Sequence, residues 1–137
     1  MDICQFASSI PYIAPAKRNE AFTLMYGMEP KEKECLLYLP MYSELESLKI
    51  GIQPGSSIET IPNPFGQKVV FFGSSFTQGI GASRPGMSYP LQIERNTNLH
   101  VCNLGFSGNA KLQSYFAEVI AATEADAFVF DVFSNPD

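Results

Sequence analysis

The chain has 137 residues, of which 45% are hydrophobic and 17% are charged, a balance typical of a folded globular protein rather than a disordered one. Its formal net charge of −5 at pH 7 leaves no basic surplus to pair with phosphates, which argues against a nucleic-acid-binding protein. The longest apolar run is far shorter than the roughly 20 residues that span a bilayer, so we expect no membrane span.

The N-terminal residues lack the features of a secretion signal. Residues 1–18 contain no basic start and no sustained apolar core, both of which a signal peptide needs. We therefore predict no signal peptide in this segment, and the sequence does not assign a compartment.

The three cysteines do not form a metal-binding or disulfide pattern. Cys4, Cys35 and Cys102 are widely spaced, and His100 is the sole histidine. We therefore expect no zinc site, and the cysteines give no argument for a disulfide. Cys35 and Cys102 lie in apolar, strand-like runs, where a free cysteine is usually a small buried hydrophobic residue.

Residues 1–65 predict a β-rich segment. Apolar and polar side chains alternate at 22–26 and 48–52, and the apolar run CLLYLPMY occupies 35–42. Alternation with a period of two, interrupted by Pro and Gly, is typical of antiparallel strands. The sequence PNPFGQ (62–67) then predicts a linker, and no stretch with helical periodicity precedes it.

Residues 66–137 predict alternating strands and helices in a second unit. The predicted strands share apolar runs of strand length, typical of strands covered on both faces: KVVFFG (68–73), HVCNLG (100–105) and AFVFDVF (127–133). Strands that alternate with helices require right-handed crossovers and a parallel sheet.

Two segments of this unit predict helices. SYPLQIERN (88–96) has Ser88 as its N-cap and Pro90 in the first turn, where the missing N–H costs no hydrogen bond. Residues 111–123 carry an apolar stripe at helical spacing. The stripe consists of Leu112, Tyr115, Phe116, Val119 and Ile120.

Three loops follow the predicted strands, at 73–86, 105–109 and 134–137. The carboxyl ends of parallel strands lie at one edge of the sheet, where ligands bind, so we expect these loops to lie side by side. Their candidate polar groups are Ser74, Ser75, Gly108 and Asn135. A hydroxyl nucleophile with backbone and amide N–H donors is the set that acyl transfer needs for its tetrahedral oxyanion.

These loops carry a resemblance to a known family. GSSFTQG (73–79), NLGFSGN (103–109) and the strand ending in Asn135 resemble the first three sequence blocks of the SGNH/GDSL hydrolases, in order and approximate spacing. GASRPGMSYP (81–90) and LYLPMYSELESLKIGI (37–52) resemble a branch of that family with a GSSITQG-like first block. The resemblance implies serine ester hydrolysis with carbohydrate esters as expected substrates, and no metal or organic cofactor.

The same resemblance implies a fold and residue roles. It implies an α/β fold at 66–137, the first half of a three-layer α/β/α, flavodoxin-like domain with a parallel sheet, preceded at 1–65 by part of a β-sandwich module. Ser75 maps to the nucleophile. The N–H groups of Ser75 and Gly108 and the amide of Asn135 map to the oxyanion hole. We expect the helix predicted to follow Gly108 to favour the developing negative charge through its dipole.

Two departures from the family pattern bear on activity. Ser74 stands where the family usually has Asp, a change typical of the same branch. The last block, Asp-x-x-His, which supplies the general base and its carboxylate partner, does not occur in the 137 residues. His100 begins its predicted strand, roughly 16 Å from the carboxyl end at about 3.3 Å per residue, whereas proton transfer needs about 3 Å. We therefore expect an incomplete hydrolase with little or no turnover of its own.

Other interpretations stay open at single positions. By itself, Ser75 also fits a turn serine that bonds local backbone. Ser107 lies in GFSGN, but Asn109 breaks the Gly-x-Ser-x-Gly pattern of a nucleophile. Asp131 is expected to be a buried, hydrogen-bonded residue rather than a catalytic acid. A pocket without a general base also fits a non-catalytic module that binds glycans or acyl esters. Separately, an incomplete sheet edge predicts self-association or pairing with a partner.

Overall fold

The computed structural model of the chain describes residues 4–6, 27 and 29–135. The elements follow in this order: β1 (Cys4–Phe6), β2 (Cys35–Leu37), β3 (Lys68–Gly73), α1 (Ser75–Gln78), α2 (Tyr89–Thr97), β4 (His100–Gly105), α3 (Ser114–Ala121) and β5 (Ala127–Asp131). The predicted alternation at 22–26 lies outside the described residues. Within the described part, no helix is long and apolar enough to cross a membrane.

The strands β3, β4 and β5 form a parallel sheet with β3 in the centre, in the order β4-β3-β5. Helices α1 and α2 lie between β3 and β4 in the chain, and α3 lies between β4 and β5. In this register Gly73 lies opposite Gly105 of β4 and Asp131 of β5. The predicted parallel α/β arrangement is confirmed, and the three strands end at the same edge of the sheet.

One face of β3 packs against α2. Val69 and Phe71 are 8% and 5% exposed and lie in one cluster with Val101 of β4. Leu91 and Ile93 of α2 pack against this cluster from outside the sheet. The run KVVFFG is therefore buried as predicted, because a central parallel strand is covered on both faces.

The helix α2 is the first of the two predicted helices. Ser88 is its N-cap in extended backbone, and Pro90 lies in its first turn, as predicted. The buried carboxylate of Glu94 accepts hydrogen bonds from the Tyr38 hydroxyl (3.1 Å) and the Val101 N–H (2.9 Å). These bonds tie α2 to the N-terminal segment and to β4, and they satisfy a charged group that would be costly to bury unpaired.

The other face of β3 carries an aromatic cluster. Phe72 is 1% exposed, and its ring centroid lies 6.2 Å from that of Phe106, 5.2 Å from that of Phe116 and 6.3 Å from that of Phe130. Phe116 belongs to α3 and Phe130 to β5. Phe72 therefore joins the centre of the sheet to both of its C-terminal elements.

The prediction for the helix at 111–123 is wrong in part. The helix α3 begins later than predicted, at Ser114, because Leu112 takes a left-handed backbone (φ +52°) that a right-handed helix cannot include. Its apolar stripe is largely exposed, with Leu112 at 63% and Val119 at 53%.

The strand β5 forms where predicted but ends at Asp131 rather than at residue 133, and it is not buried. Phe128 and Phe130 are 40% and 49% exposed, because both line an open groove of about 470 Å³ between β5 and α3. β5 also lies at the edge of the described sheet. An open edge of this kind offers unpaired backbone groups. The expected self-association through it stays a prediction.

The N-terminal segment differs from the prediction. β1 and β2 pair in parallel, with Cys4 opposite Cys35, so the predicted antiparallel pairing is wrong for these strands. Parallel pairing needs a long connection rather than a tight turn, and alternation alone does not reveal which partner a strand has. Residues 48–52 form no strand, and their apolar side chains are exposed. Cys35, predicted to be buried, is exposed at the start of its short strand.

Replacing Phe72 should destabilise the fold more than replacing any exposed aromatic residue. We expect Phe72→Ala to lower the free energy of unfolding by about 3–5 kcal/mol, because it leaves a cavity among three aromatic rings. Phe133→Ala is the matched control: the ring of Phe133 is 87% exposed, and its loss should change stability by less than about 0.5 kcal/mol. Urea unfolding followed by circular dichroism measures both, and equal effects would contradict the assignment of Phe72 to the core.

Candidate active site

The two serines in the turn from β3 into α1 differ in burial and in hydrogen bonding. Ser74 is fully buried and is the N-cap of α1, and its Oγ accepts a hydrogen bond from the Phe76 N–H at 3.3 Å. Ser75 is the first residue of α1 and is partly exposed. No described residue forms a hydrogen bond with its hydroxyl. The capping role therefore falls to Ser74, and the Ser75 hydroxyl is left available to a ligand.

The loop after β4 packs directly on α1. The Phe106 N–H donates to the carbonyl oxygen of Gly73 at 2.8 Å. A Cβ atom on Gly105 would lie 2.6 Å from the carbonyl carbon of Thr77 and would overlap the backbone nitrogen of Gln78. Glycine at position 105 is thus what allows the loop to lie against the helix that carries the Ser75 hydroxyl.

Asn103, near the end of β4, also connects the end of this strand to α1. Its Nδ2 donates to the Thr77 carbonyl at 2.8 Å and to Ser88 Oγ at 3.3 Å, and its Oδ1 accepts from the Gly105 N–H at 3.0 Å. Sequence reasoning did not select this residue. Its position inside the NLGFSGN block is the signal that could have identified it.

Gly108 lies in the turn 107–109, where its φ of +72° is in the left-handed region that glycine adopts without strain. The turn is closed by the Asn109 N–H, which donates to the Phe106 carbonyl at 3.0 Å. The expected dipole support for this glycine is wrong, because α3 begins only at Ser114 and a helix dipole acts within about one turn. The Gly108 N–H must therefore rely on the turn itself for its direction.

Asn135 follows β5, at the same edge of the sheet. Its Nδ2 donates to the neighbouring carbonyl of Ser134 at 3.0 Å. Its Oδ1 is buried and has no hydrogen-bond partner within the described part of the chain. Direct contacts thus join the Ser75 helix to the loop of Gly108, whereas Asn135 follows β5, whose last residue Asp131 lies opposite Gly73.

A hydroxyl cluster lies beside this edge and was not foreseen. Asp131 Oδ2 accepts hydrogen bonds from Thr77 Oγ1 at 2.9 Å and from the Tyr89 hydroxyl at 3.0 Å. Asp131 is hydrogen-bonded as predicted, although it is half-buried rather than buried. Burial raises the pKa of the Tyr89 hydroxyl, the hydrogen bond with Thr77 opposes this rise, and the Asp131 carboxylate adds to it. The cluster ties α1 and α2 to the end of β5.

His100 lies at the opposite end of the sheet. It pairs with Lys68 at the start of β4 and β3, whereas Gly73 and Gly105 pair at their ends. Gly105 lies five residues after His100 along the strand, which corresponds to roughly 16 Å. The prediction that His100 begins its strand, away from the loops, is confirmed. Within the described residues, no group of three or more His, Cys, Asp or Glu side chains is placed to hold a metal ion.

Comparisons of the sequence and the structure with known proteins agree with one another. The model of the GDSL-like Lipase/Acylhydrolase family matches residues 66–137, and the model described as the N-terminus of Esterase SGNH hydro-type proteins matches residues 5–58. A crystal structure of a protein described as a GDSL-like lipase, from Bacteroides ovatus, is similar to this chain, with 47% sequence identity and a TM-score of 0.70 over 72% of the chain. The chain spans 29% of the length of that protein. No match to a curated protein is found. The expected resemblance and fold class are confirmed.

The Tyr89 hydroxyl should make stability depend on alkaline pH. Because its pKa is raised above the ordinary 10.0 in the folded chain, its contribution to stability is fully present below pH 10 and is lost as the pH rises through the raised pKa. We expect the free energy of unfolding to fall more steeply above pH 10 for the wild type than for Tyr89→Phe. Urea unfolding at several pH values between 8 and 11.5 measures the slopes. Tyr115→Phe, which leaves the Asp131 hydrogen bonds intact, controls for the loss of a phenol, and equal slopes for wild type and Tyr89→Phe would contradict the prediction.

Proposed function

The chain belongs to the GDSL-like lipase/acylhydrolase family, and from this premise we propose that its α/β unit is the nucleophile-bearing part of a serine ester hydrolase. The observation that carries the proposal is the division between the two serines after β3. Ser74 is buried as the helix cap, whereas Ser75 is partly exposed and its hydroxyl has no hydrogen-bond partner among the described residues, beside the loop of Gly108.

The proposed reaction is acyl transfer through Ser75. Its Oγ attacks the carbonyl carbon of the ester, and a general base takes the hydroxyl proton. The N–H groups of Ser75 and Gly108 and the amide of Asn135 stabilise the resulting oxyanion, each at about 3–4 kcal/mol in the transition state. The alcohol then leaves with a proton, and water hydrolyses the acyl-serine to release the acid and restore Ser75.

For Asn135 this role uses the second N–H of its amide. The amide nitrogen carries two N–H groups, and the structure shows one of them donating to the Ser134 carbonyl at 3.0 Å. The other N–H is the donor that we propose for the oxyanion.

The general base is proposed to come from outside residues 1–137. His100 is the sole histidine of the chain, and it lies at the far end of β4 from the site. A serine hydrolase that lacks a member of its triad retains only about 10³–10⁴-fold catalysis over water. We therefore expect slow turnover by the 137 residues alone, with small acyl esters of carbohydrates as the proposed substrates.

We further propose two units in the chain, a partial β-sandwich at 1–65 and the first half of the hydrolase domain at 66–137. The separate family matches to the two regions support this division. The lack of a nearby base among the described residues also favours a second candidate function, a module that binds acylated glycans without cleaving them. The two functions differ in whether Ser75 is needed for hydrolysis.

The test uses imidazole as an added base, because general-base catalysis contributes about 10²–10⁴-fold and an added base can restore part of it. We expect hydrolysis of p-nitrophenyl acetate by the chain to exceed that by Ser75→Ala, and the difference to grow with imidazole concentration. Ser75→Ala also serves as the blank for hydrolysis by imidazole itself. Ser83→Ala, which removes an exposed loop hydroxyl, should behave as the wild type. Equal rates for wild type and Ser75→Ala at every imidazole concentration would leave only the binding module.

A further inference from the structure

We infer that Gln78 is a positioning residue, which holds the loop of Gly108 in place for the oxyanion and couples that loop to the N-terminal segment. The inference rests on the proposed function, because it assigns a role within that site. Gln78 is the last residue of α1, one helical turn after Ser75, and its side chain is half-buried.

Both ends of the Gln78 amide are engaged. Its Nε2 donates to the carbonyl oxygen of Met41 at 2.9 Å, and its Oε1 accepts from the Ser107 N–H at 2.7 Å. One partner is an acceptor and the other a donor, so only one orientation of the amide satisfies both. The side chain is therefore a bridge with a defined direction rather than a solvated helix residue.

The Ser107 N–H is the peptide group immediately before that of Gly108. Among the described residues, no atom lies within 4 Å of the place that a Cβ on Gly108 would take, so side-chain packing does not fix this residue. The peptide that carries its N–H is held on its carbonyl side, where Asn109 Nδ2 donates to the Ser107 carbonyl at 2.9 Å. The peptides on either side are held by the bond from the Ser107 N–H to Gln78 and the bond from the Asn109 N–H to the Phe106 carbonyl.

The other end of the bridge lies in the segment 38–42. The Tyr42 hydroxyl donates to the Ser75 carbonyl at 3.4 Å, and a Cβ on Gly79 would lie 2.6 Å from Met41 Sδ. The segment thus touches α1 at its first residue and just past its last. Through Gln78 the same segment is connected to the loop of Gly108, which makes the N-terminal unit part of the support of the oxyanion donor.

Amide hydrogen exchange of the full 137-residue chain, labelled with ¹⁵N, tests the bridge directly. Loss of one hydrogen bond should raise the exchange rate of the Ser107 amide in Gln78→Ala roughly 2- to 10-fold. The Phe106 amide, bonded to the Gly73 carbonyl, should not change, and this excludes general unfolding. Gln92→Ala is the matched control, since Gln92 also donates to a backbone carbonyl, that of Met87, from an exposed helix position.

Kinetics with imidazole as the base test the catalytic part. An oxyanion donor acts in the transition state, so we expect Gln78→Ala to lower kcat roughly 10-fold with KM unchanged. This loss is smaller than the ~10²–10³-fold that follows removal of a donor itself. Gln78→Glu keeps an acceptor for the Ser107 N–H but lacks the donor to the Met41 carbonyl, so it breaks one end of the bridge and leaves the other. Ser107 exchange should therefore stay slower than in Gln78→Ala, and the added negative charge should still lower kcat.

The outcomes separate the inference from the proposed function. Faster Ser107 exchange together with a lower kcat in Gln78→Ala supports the positioning role. Unchanged Ser107 exchange overturns it, and so does faster exchange with an unchanged kcat. If wild type and Ser75→Ala hydrolyse the ester equally, the proposed function fails and the catalytic role of Gln78 fails with it. The exchange data then still report separately whether the bridge exists.

Discussion

The carboxyl ends of β3 and β4 lie so close to β5 and to α1, respectively, that two positions accept no side chain. A Cβ on Gly73 would lie 2.7 Å from the carbonyl oxygen of Asp131, and one on Gly105 would lie 2.6 Å from the carbonyl carbon of Thr77. Both distances are shorter than real contacts of a Cβ atom. This backbone contact allows α1 to begin directly after β3 and the loop 105–109 to rest on it. The position of the Ser75 hydroxyl depends on both.

Polar contacts, rather than apolar area alone, attach the N-terminal segment to this framework. The buried carboxylate of Glu94, the amide of Gln78 and the carbonyl of Ser75 each bond a residue of 38–42. Buried polar groups are costly when unpaired, so these bonds favour one arrangement of the segment over others that would bury similar area. The segment belongs to the structural support of the site rather than to a separate appendage.

Sequence reasoning succeeded where local signals agree with the packing. The apolar run of β3 and the pair Ser88 and Pro90 at the start of α2 each predict one structure from neighbouring residues. The exposure of β5 and the parallel pairing of β1 and β2 could not be predicted in this way. Both depend on which strands become neighbours, and that is a property of the whole chain.

The site likewise combines features that the sequence predicts with features that depend on the whole fold. The strand order was enough to predict that the loops of Ser75 and Gly108 lie at one edge, because parallel strands end together. The Gln78 bridge joins Met41 to Ser107 across distant parts of the sequence, and a glutamine in a short helix carries no local sign of such a bond. The left-handed Leu112, which delays α3 and removes its dipole from Gly108, was equally invisible in an apolar stripe at helical spacing.

The strand order β4-β3-β5 also has a consequence for synthesis on the ribosome. Val69 of the central strand pairs with Val101 and with Ala127, so its second neighbour is translated long after it. At roughly 5–20 residues per second, the interval between Val69 and Ala127 is on the order of 3–12 s. Throughout that interval the central strand lacks at least one of its two neighbours. Until β5 has emerged, the nascent chain therefore presents an open edge of β3, with which another extended segment can pair.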